Sequence, residues 1–318
     1  MSLINGKSVA PLALGGNVFG WTADEATSFR ILDAFVDGGG TMIDTADVYS
    51  AWAQGHKGGE SETVIGKWLR ANPAKRDKVI IATKVGFLDG EIVDGEYVAA
   101  LQPDVIARAA DASLKRLGIG TIDLYYQHRD NPAVPLADSL GAMDALRRAG
   151  KIADIGLSNF EADRVERAIE VSALNGFAKP AALQNWYNLM ERGKYEGALQ
   201  NVTVGEGLWQ FPFYSLANGF LTGKYRSGDD LGKSVRGRRS VDYVGSEKGQ
   251  RVLAALDEVA AQTDEALASV ALAWMKAQPG IGAPIASATS VEQLRELLAG
   301  MHLILTCDQL DYLTTASD

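Results

Sequence analysis

With 318 residues, 47% of them hydrophobic and 22% charged, the chain has ample apolar material for one large globular core or two ordinary ones. A net charge of −9 argues against a nucleic-acid partner, and one cysteine with three histidines excludes an intrachain disulfide and a dense Cys/His metal site, so no metal is expected. Residues 1–7 lack a cationic region leading into an apolar core, and no apolar run reaches membrane-spanning length; a soluble, cytoplasmic protein without a membrane partner is expected.

Short β-type runs alternate with longer helical ones. Residues 9–14 read as a strand or strand pair ending in Gly15-Gly16, and 26–36 as a helix stopped at Gly38-Gly39-Gly40. A strand at 41–44 precedes a helix at 62–70 started by Ser61; a buried strand at 79–84 precedes a helix at 103–117, with proline in its first turn and Gly118 after its end. Strand 122–128 leads to helix 136–149, strand 152–158 to helix 161–174, and strand 182–185 to a short helix at 194–200. After a strand at 208–213 comes the longest irregular stretch, 215–246, polar and rich in glycine and arginine (Arg226, Arg236, Arg238, Arg239). Helices at 250–262 and 265–278, a strand at 283–287 and a helix at 291–298 complete the pattern. Eight strands, nearly every one followed by a helix, predict a single (β/α)8 TIM barrel domain over 1–318, with a long loop after strand 7. A doubly wound open sheet is disfavoured because no Gly-x-Gly-x-x-Gly follows the first strand.

Active sites of such barrels lie at the carboxyl ends of the strands. Those ends read Asp44, Lys84, His128, Ser158-Asn159, Gln184-Asn185, Phe213-Tyr214 and Ser287-Ala288. Each alone has a packing explanation, such as a snorkelling lysine or a capping histidine; a rim carrying all of them does not. Asp44, Lys84 and His128, with Tyr49 on the loop beyond the second strand, make a coherent acid–base unit. A phenol has a reference pKa near ~10, and a lysine ammonium beside it is expected to bring that value down. Asp44 would be the counter-ion of Lys84, His128 would orient a substrate oxygen, and Tyr49 would protonate it. This apparatus suits carbonyl reduction with a hydride from a cofactor.

From Leu12 to about Ala316 the chain resembles the aldo-keto reductases. The matching motifs are Ile43-Asp44-Thr45-Ala46-Asp47-Val48-Tyr49, Gly59-Glu60-Ser61-Glu62, Thr83-Lys84-Val85 and Asp123 through His128-Arg129. They continue with Gly156-Leu157-Ser158-Asn159-Phe160, Gln184 through Leu189, and Gly219 through Tyr225. The resemblance places Asp44, Tyr49, Lys84 and His128 on the family's catalytic tetrad. It implies a nicotinamide cofactor, NADP(H) with NAD(H) as the alternative, extended across the barrel mouth. Ser158, Asn159 and Gln184 match positions that hold the carboxamide, and Phe213 the position that stacks on the ring, with Tyr214 next to it. Leu216, Asn218 and Lys224 match positions along the pyrophosphate path.

The main departure is Thr289 in Ile285-Ala286-Ser287-Ala288-Thr289-Ser290, where many relatives carry an arginine that grips the 2′-phosphate. Ser290 and Gln293 read as a capping box opening the last βα helix, whose amino terminus can still receive an anion. Losing that charge-assisted contact should weaken the NADPH preference unless Lys224 or an arginine of the 226–239 loop replaces it; the arginines of 236–239 read as a cofactor lid, with a solvated face as the other reading. Trp21 and Trp52 are candidate walls of a substrate pocket, with core packing as the other reading. Glu60-Ser61-Glu62 is explained mostly by helix initiation; His56 and His302 are expected at the surface, and Cys307 as a packed small side chain. The function expected is reduction of an aldehyde or ketone, or oxidation of the matching alcohol or sugar. A potassium-channel regulatory subunit that senses the cofactor and a lyase or hydrolase without nicotinamide are the rivals.

Overall fold

The computed structural model describes residues 2–93, 96–234 and 237–318, with side-chain description of Glu96 excluded. Eight parallel strands form one sheet: β1 Ala13–Gly15, β2 Met42–Asp44, β3 Ile80–Val85, β4 Ile122–Gln127, β5 Ile152–Ser158, β6 Ala182–Gln184, β7 Trp209–Gln210 and β8 Ile285–Ala286. In hydrogen-bonded order they run β7-β6-β5-β4-β3-β2-β1-β8. The ring closes where Gln210 N donates to Gly280 O (2.9 Å), Gly282 N to Gln210 O (2.8 Å) and Ile285 N to Pro212 O (2.9 Å). Around it lie α1 Glu25–Asp37, α2 Glu60–Ala71, α3 Pro103–Leu117, α4 Leu136–Arg148, α5 Ala162–Asn175, α6 Ala198–Gly205, α7 Glu247–Thr263, α8 Leu267–Lys276, α9 Val291–His302 and α10 Cys307–Ala316. This is the (β/α)8 barrel that the alternation of strand and helix signals predicts. No helix among the described residues is long and apolar enough to cross a membrane.

Strand alternation sorts the side chains. On β3, Ile80 and Ala82 join the barrel's interior core with Met42, Leu124, Tyr126, Ala182 and Phe211, while Ile81 and Val85 join the larger layer under the helices. The same parity turns Asp44 and Lys84 inward at the upper end. Pairing of Gly15 with Asp44, Lys84 with Tyr126 and Ser158 with Gln184 brings these polar residues to one end of the packed interior. Gly156 on β5 makes room for the Tyr126 ring, which a Cβ there would meet at 2.3 Å.

Some elements differ from expectation for local reasons. β7 and β8 are shorter than the runs 208–213 and 283–287, because Pro212 and Pro284 have no N–H to give the ladder. A hairpin pairing Leu3–Ile4 with Lys7–Ser8 precedes the barrel; its Asn5-Gly6 turn has φ of 50° and 68°, the signal of a type I′ turn. It seals the amino-terminal end: Ile4 enters the interior core, and Asn5 Nδ2 donates to Asp123 Oδ1 at 2.8 Å. The expected helix at 194–200 is a 3-10 turn, Arg192–Lys194, followed by α6. Within 215–246 the chain forms 3-10 turns at Ala217–Thr222, Gly228–Lys233 and Gly237–Ser240; Arg236 lies outside the described residues.

Candidate active site

Lys84 is fully buried, and its Nζ donates to Asp44 Oδ2 (2.6 Å), to Thr45 O (2.7 Å) and to Tyr49 Oη (3.4 Å). Asp44 uses its other oxygen to accept from Gln184 Nε2 at 2.8 Å. Burial alone would lower the lysine, but Asp44 and Tyr49 outweigh it and hold the ammonium above its ordinary range. Burial also pushes the Asp44 carboxyl up against the pull of Lys84 and Gln184. With three acceptors on one charge and two donors on the other, the pair is ionised.

The Tyr49 phenol corrects an expectation. Burial raises its pKa, Lys84 pulls it back, and Asp44 raises it further, so the net shift is upward rather than down. A buried anion beside Asp44 costs more than one lysine returns. Tyr49 therefore keeps its proton at neutral pH. His128, whose ring centroid lies 6.0 Å from that of Tyr49, is pushed well below its ordinary pKa by burial and then by Lys84. Its imidazole is neutral, and the buried Nδ1 has no hydrogen-bond partner among the described residues.

The polar side chains near Asp44 and His128 hold one another. Ser158 Oγ donates to Gln184 O (2.8 Å), and Asn159 Nδ2 donates to His128 O (2.9 Å) and Ser158 Oγ (3.1 Å). Phe213 N donates to Asn185 O at 3.2 Å, and Tyr214 turns its ring edge-on to Phe213 and Trp186 at 5.1 and 5.2 Å. Arg238 and Arg239 are both exposed, and Arg239 Nη1 reaches Tyr214 Oη at 3.3 Å. Left-handed φ values at Tyr214 (54°), Ala217 (46°), Asn218 (57°) and Gly219 (96°) fold the backbone beyond β7 back on itself, past the half-buried Leu216. Within it Ala217 N donates to Tyr214 O and Gly219 N to Leu216 O, each at 2.8 Å, so these N–H groups close the turn. Lys224 lies against it, since a Cβ on Gly219 would meet Lys224 Nζ at 2.8 Å. Buried Asn218 Oδ1 has no partner among the described residues. An ammonium beside this folded-back turn and a buried, unpaired amide oxygen fit an elongated cofactor that carries both phosphates and hydrogen-bond donors.

Across the mouth, Ser287 Oγ donates to Asn17 Oδ1 at 2.8 Å, tying β8 to the loop after β1. The capping box expected of Ser290 and Gln293 is displaced by one residue. Gln293 N donates to Ser290 Oγ, but the Gln293 carbonyl oxygen accepts from Thr289 N (2.9 Å) and Oγ1 (3.0 Å). Trp21 and Trp52 are not core: Trp21 is half-buried, Trp52 is 50% exposed, and the latter stands edge-on to both Trp21 (5.7 Å) and Tyr49 (5.6 Å).

Several neighbours were not legible in sequence. Phe87 packs 4.4 Å from His128 and Trp186 stands beside Tyr214; an aromatic residue just past a strand end is the signal each offered. His302 is exposed as expected, His56 is half-buried and bonded to Ser50, and Cys307 is exposed rather than packed. Glu60 and Glu62 do more than start a helix: Glu62 takes Thr83 Oγ1 and Arg116 Nε, each at 2.6 Å. Asp47 is buried with neither oxygen bonded among the described residues, and burial, then Glu62, push its carboxyl up to about 8.

A model of the aldo/keto reductase family matches residues 11–318. Over 304 residues the chain is 32% identical to an uncharacterized oxidoreductase, YrpG, of Bacillus subtilis, covering 94% of this chain and 90% of that protein. It is 32% identical over 322 residues to the protein tas of Escherichia coli, covering 95% and 92%. A fission-yeast (Schizosaccharomyces pombe) aldo-keto reductase named for NADP(+), yakc, is 30% identical over 295 residues, covering 91% and 82%.

Proposed function

The chain belongs to the aldo/keto reductase family of oxidoreductases, and on that premise we propose that it reduces an aldehyde or ketone with NADPH, or oxidises the matching alcohol or sugar. One observation carries the reading: a buried ammonium, Lys84 Nζ, is held 2.6 Å from Asp44 Oδ2 and 3.4 Å from Tyr49 Oη. Reduced nicotinamide, when bound, supplies the hydride that no side chain can. Tyr49 donates its phenolic proton to the carbonyl oxygen as that oxygen gains negative charge, and Lys84 stabilises the phenolate left behind. The raised phenol suits this task. The acceptor is a developing alkoxide, a far stronger base than a carbonyl oxygen, so the proton moves as that oxygen gains charge. Neutral His128 donates a hydrogen bond to the same oxygen, and Asp44 with Gln184 keeps Lys84 charged and in place.

Ser158, Asn159 and Gln184 would hold the carboxamide, Phe213 would cover the ring, and Leu216, Asn218 and Lys224 would line the pyrophosphate path. Thr289 brings no charge to the 2′-phosphate, so the preference for NADPH over NADH is assigned to Lys224 and Arg239, with Ser287, Thr289 and Gln293 as further cofactor contacts. Loss of reduced-nicotinamide absorbance on a panel of aldehydes, ketones and aldoses, with each cofactor, tests the activity. In Tyr49→Phe, turnover should fall by roughly 100- to 10,000-fold while NADPH affinity changes little. Near-normal turnover in that variant would overturn the proton-donor role.

A further inference from the structure

The loop that carries Tyr49 also carries Trp52, and it is pinned by side chains that the chemistry above does not use. Ser50, fully buried, has its Oγ 2.9 Å from His56 Nδ1, in hydrogen-bond contact. Ser50 N donates to Glu60 Oε2 at 3.3 Å, and the same carboxylate accepts from Lys57 N (2.8 Å) and Gly58 N (3.0 Å). Burial works against the Glu60 carboxylate, but these N–H donors and the nearby His56 hold it below its ordinary pKa. Between these anchors, Ala53 N bonds Ser50 O and His56 N bonds Ala53 O, at 2.9 and 3.0 Å. Gly55 and Gly58 take φ of 85° and 93°, so the loop contains joints of its own and owes its shape to the anchors.

What the anchors fix is Trp52. Its indole is 50% exposed yet stands 5.6 Å from the Tyr49 ring and 5.7 Å from Trp21. Half of a large apolar side chain left in water beside a reacting phenol needs a reason, and a wall for an apolar substrate supplies one. Phe87 at His128 and Tyr214 at Trp186 extend the same kind of surface around the mouth.

We infer that Ser50, His56 and Glu60 form a clamp that holds Trp52 beside Tyr49, and that the wall so held selects carbonyl compounds bearing a flat apolar body. His56 is in this scheme a positioning residue, acting through Trp52. The selection rests on the proposed carbonyl reduction; the clamp does not.

The test compares kcat and KM for 2-naphthaldehyde and propanal in the parent, His56→Ala, His56→Asn, Trp52→Ala and the His56→Ala/Trp52→Ala double variant. His56→Ala should lower kcat/KM for naphthaldehyde about tenfold, through KM, and leave propanal within about twofold. His56→Asn, which keeps a polar atom near Nδ1, should recover most of the loss. The double variant should lose no more than Trp52→Ala alone, since both act through one indole. Additive losses, or equal losses on both aldehydes, would overturn the inference. Acrylamide quenching of Trp52, taken as the difference from Trp52→Phe, needs no turnover. It should rise in His56→Ala, and unchanged quenching would sink the clamp. Absence of turnover on either aldehyde in the parent would instead count against the reductase reading, with quenching still deciding the clamp.

Discussion

Lys84 is the side chain whose removal separates charge from packing. Lys84→Met keeps most of the volume but leaves the Asp44 carboxylate facing only the Gln184 amide in a dry place. Breaking one half of a buried pair costs about 3–5 kcal/mol, so urea unfolding should show a loss of that order, and Asp44→Asn added to it should return part. A single variant as stable as the parent would mean that the pair is not ionised. Asp47 makes the opposite case, because burial and the neighbouring Glu62 outweigh what Arg116 and the Val48 backbone return. Its carboxyl sits at about 8 when folded, against an ordinary 3.8, so from roughly pH 4 to pH 8 the folded state binds a proton that the unfolded chain has released. Stability from this group is therefore fully present below pH 4 and declines as pH rises toward 8, by at most about 1.4 kcal/mol per unit. Asp47→Asn, which resembles the neutral acid, should flatten the fall in stability between pH 5 and pH 8; denaturation curves that stay parallel to the parent's would contradict it. The two aspartates also show what sequence can carry. Asp44 was legible because a strand's last residue points at the mouth, and Lys84 and His128 obeyed the same rule. Asp47 was not, because its state depends on its depth of burial and on Glu62, which only the fold brings beside it. The phenol's shift was misjudged for a related reason, since residue types reveal the lysine but not the depth of burial that opposes it.

The β2 loop owes its geometry to α2, and α2 to a contact with bare backbone. Ser61, in the first turn of α2, accepts from Thr45 Oγ1 (2.7 Å) and gives its N–H to Tyr49 O (3.2 Å), while its hydroxyl donates to Gly16 O (2.8 Å). On the other side of that helix a Cβ at Gly66 would lie 2.1 Å from Arg116 O and 2.9 Å from the Leu117 backbone. Backbone cannot yield as a side chain does, so Gly66→Ala must push α2 away from α3, at a cost of about 1–3 kcal/mol. Because α2 also holds the Tyr49 loop, kcat should fall further than the folded fraction explains; a variant that loses stability but keeps the parent's kcat per folded molecule would refute the coupling. Periodicity located α2 within two residues at each end but gave no hint of this approach, because a glycine inside a helix reads only as a weak former. The long segment after β7 was read as an irregular stretch whose arginines form a cofactor lid or a solvated face, with no account of its shape. Its form depends on left-handed turns at Tyr214, Ala217 and Asn218, and of these only the asparagine has a local preference for that region.

The barrel divides its labour between its two ends. The amino-terminal end is sealed by the hairpin and by Asp123, which takes Asn5 Nδ2 at 2.8 Å, Lys7 Nζ at 3.3 Å and Arg76 Nη2 at 2.8 Å. The carboxyl end keeps its unpaired polar atoms and its loops. A ligand that binds only the folded protein stabilises all of it by RT ln(1 + [L]/Kd), about 2.7 kcal/mol at a hundredfold excess over Kd. A shift in melting temperature therefore reports affinity at the open end without any substrate. If Lys224 and Arg239 replace the charge that Thr289 does not bring, NADPH should raise the melting temperature more than NADH at equal concentration. Lys224→Ala should narrow that difference. Lys224 touches little else, its ammonium lying 4.9 Å from the Tyr225 ring centroid, so the melting temperature without cofactor should move little. Contacts to an exposed phosphate are screened by salt while ring stacking is not, and the NADPH advantage should therefore shrink as ionic strength rises. An NADH shift that equals or exceeds the NADPH shift at low salt would mean that the 2′-phosphate is not recognised. The cations near the 3-10 turns would then be a solvated face of the barrel.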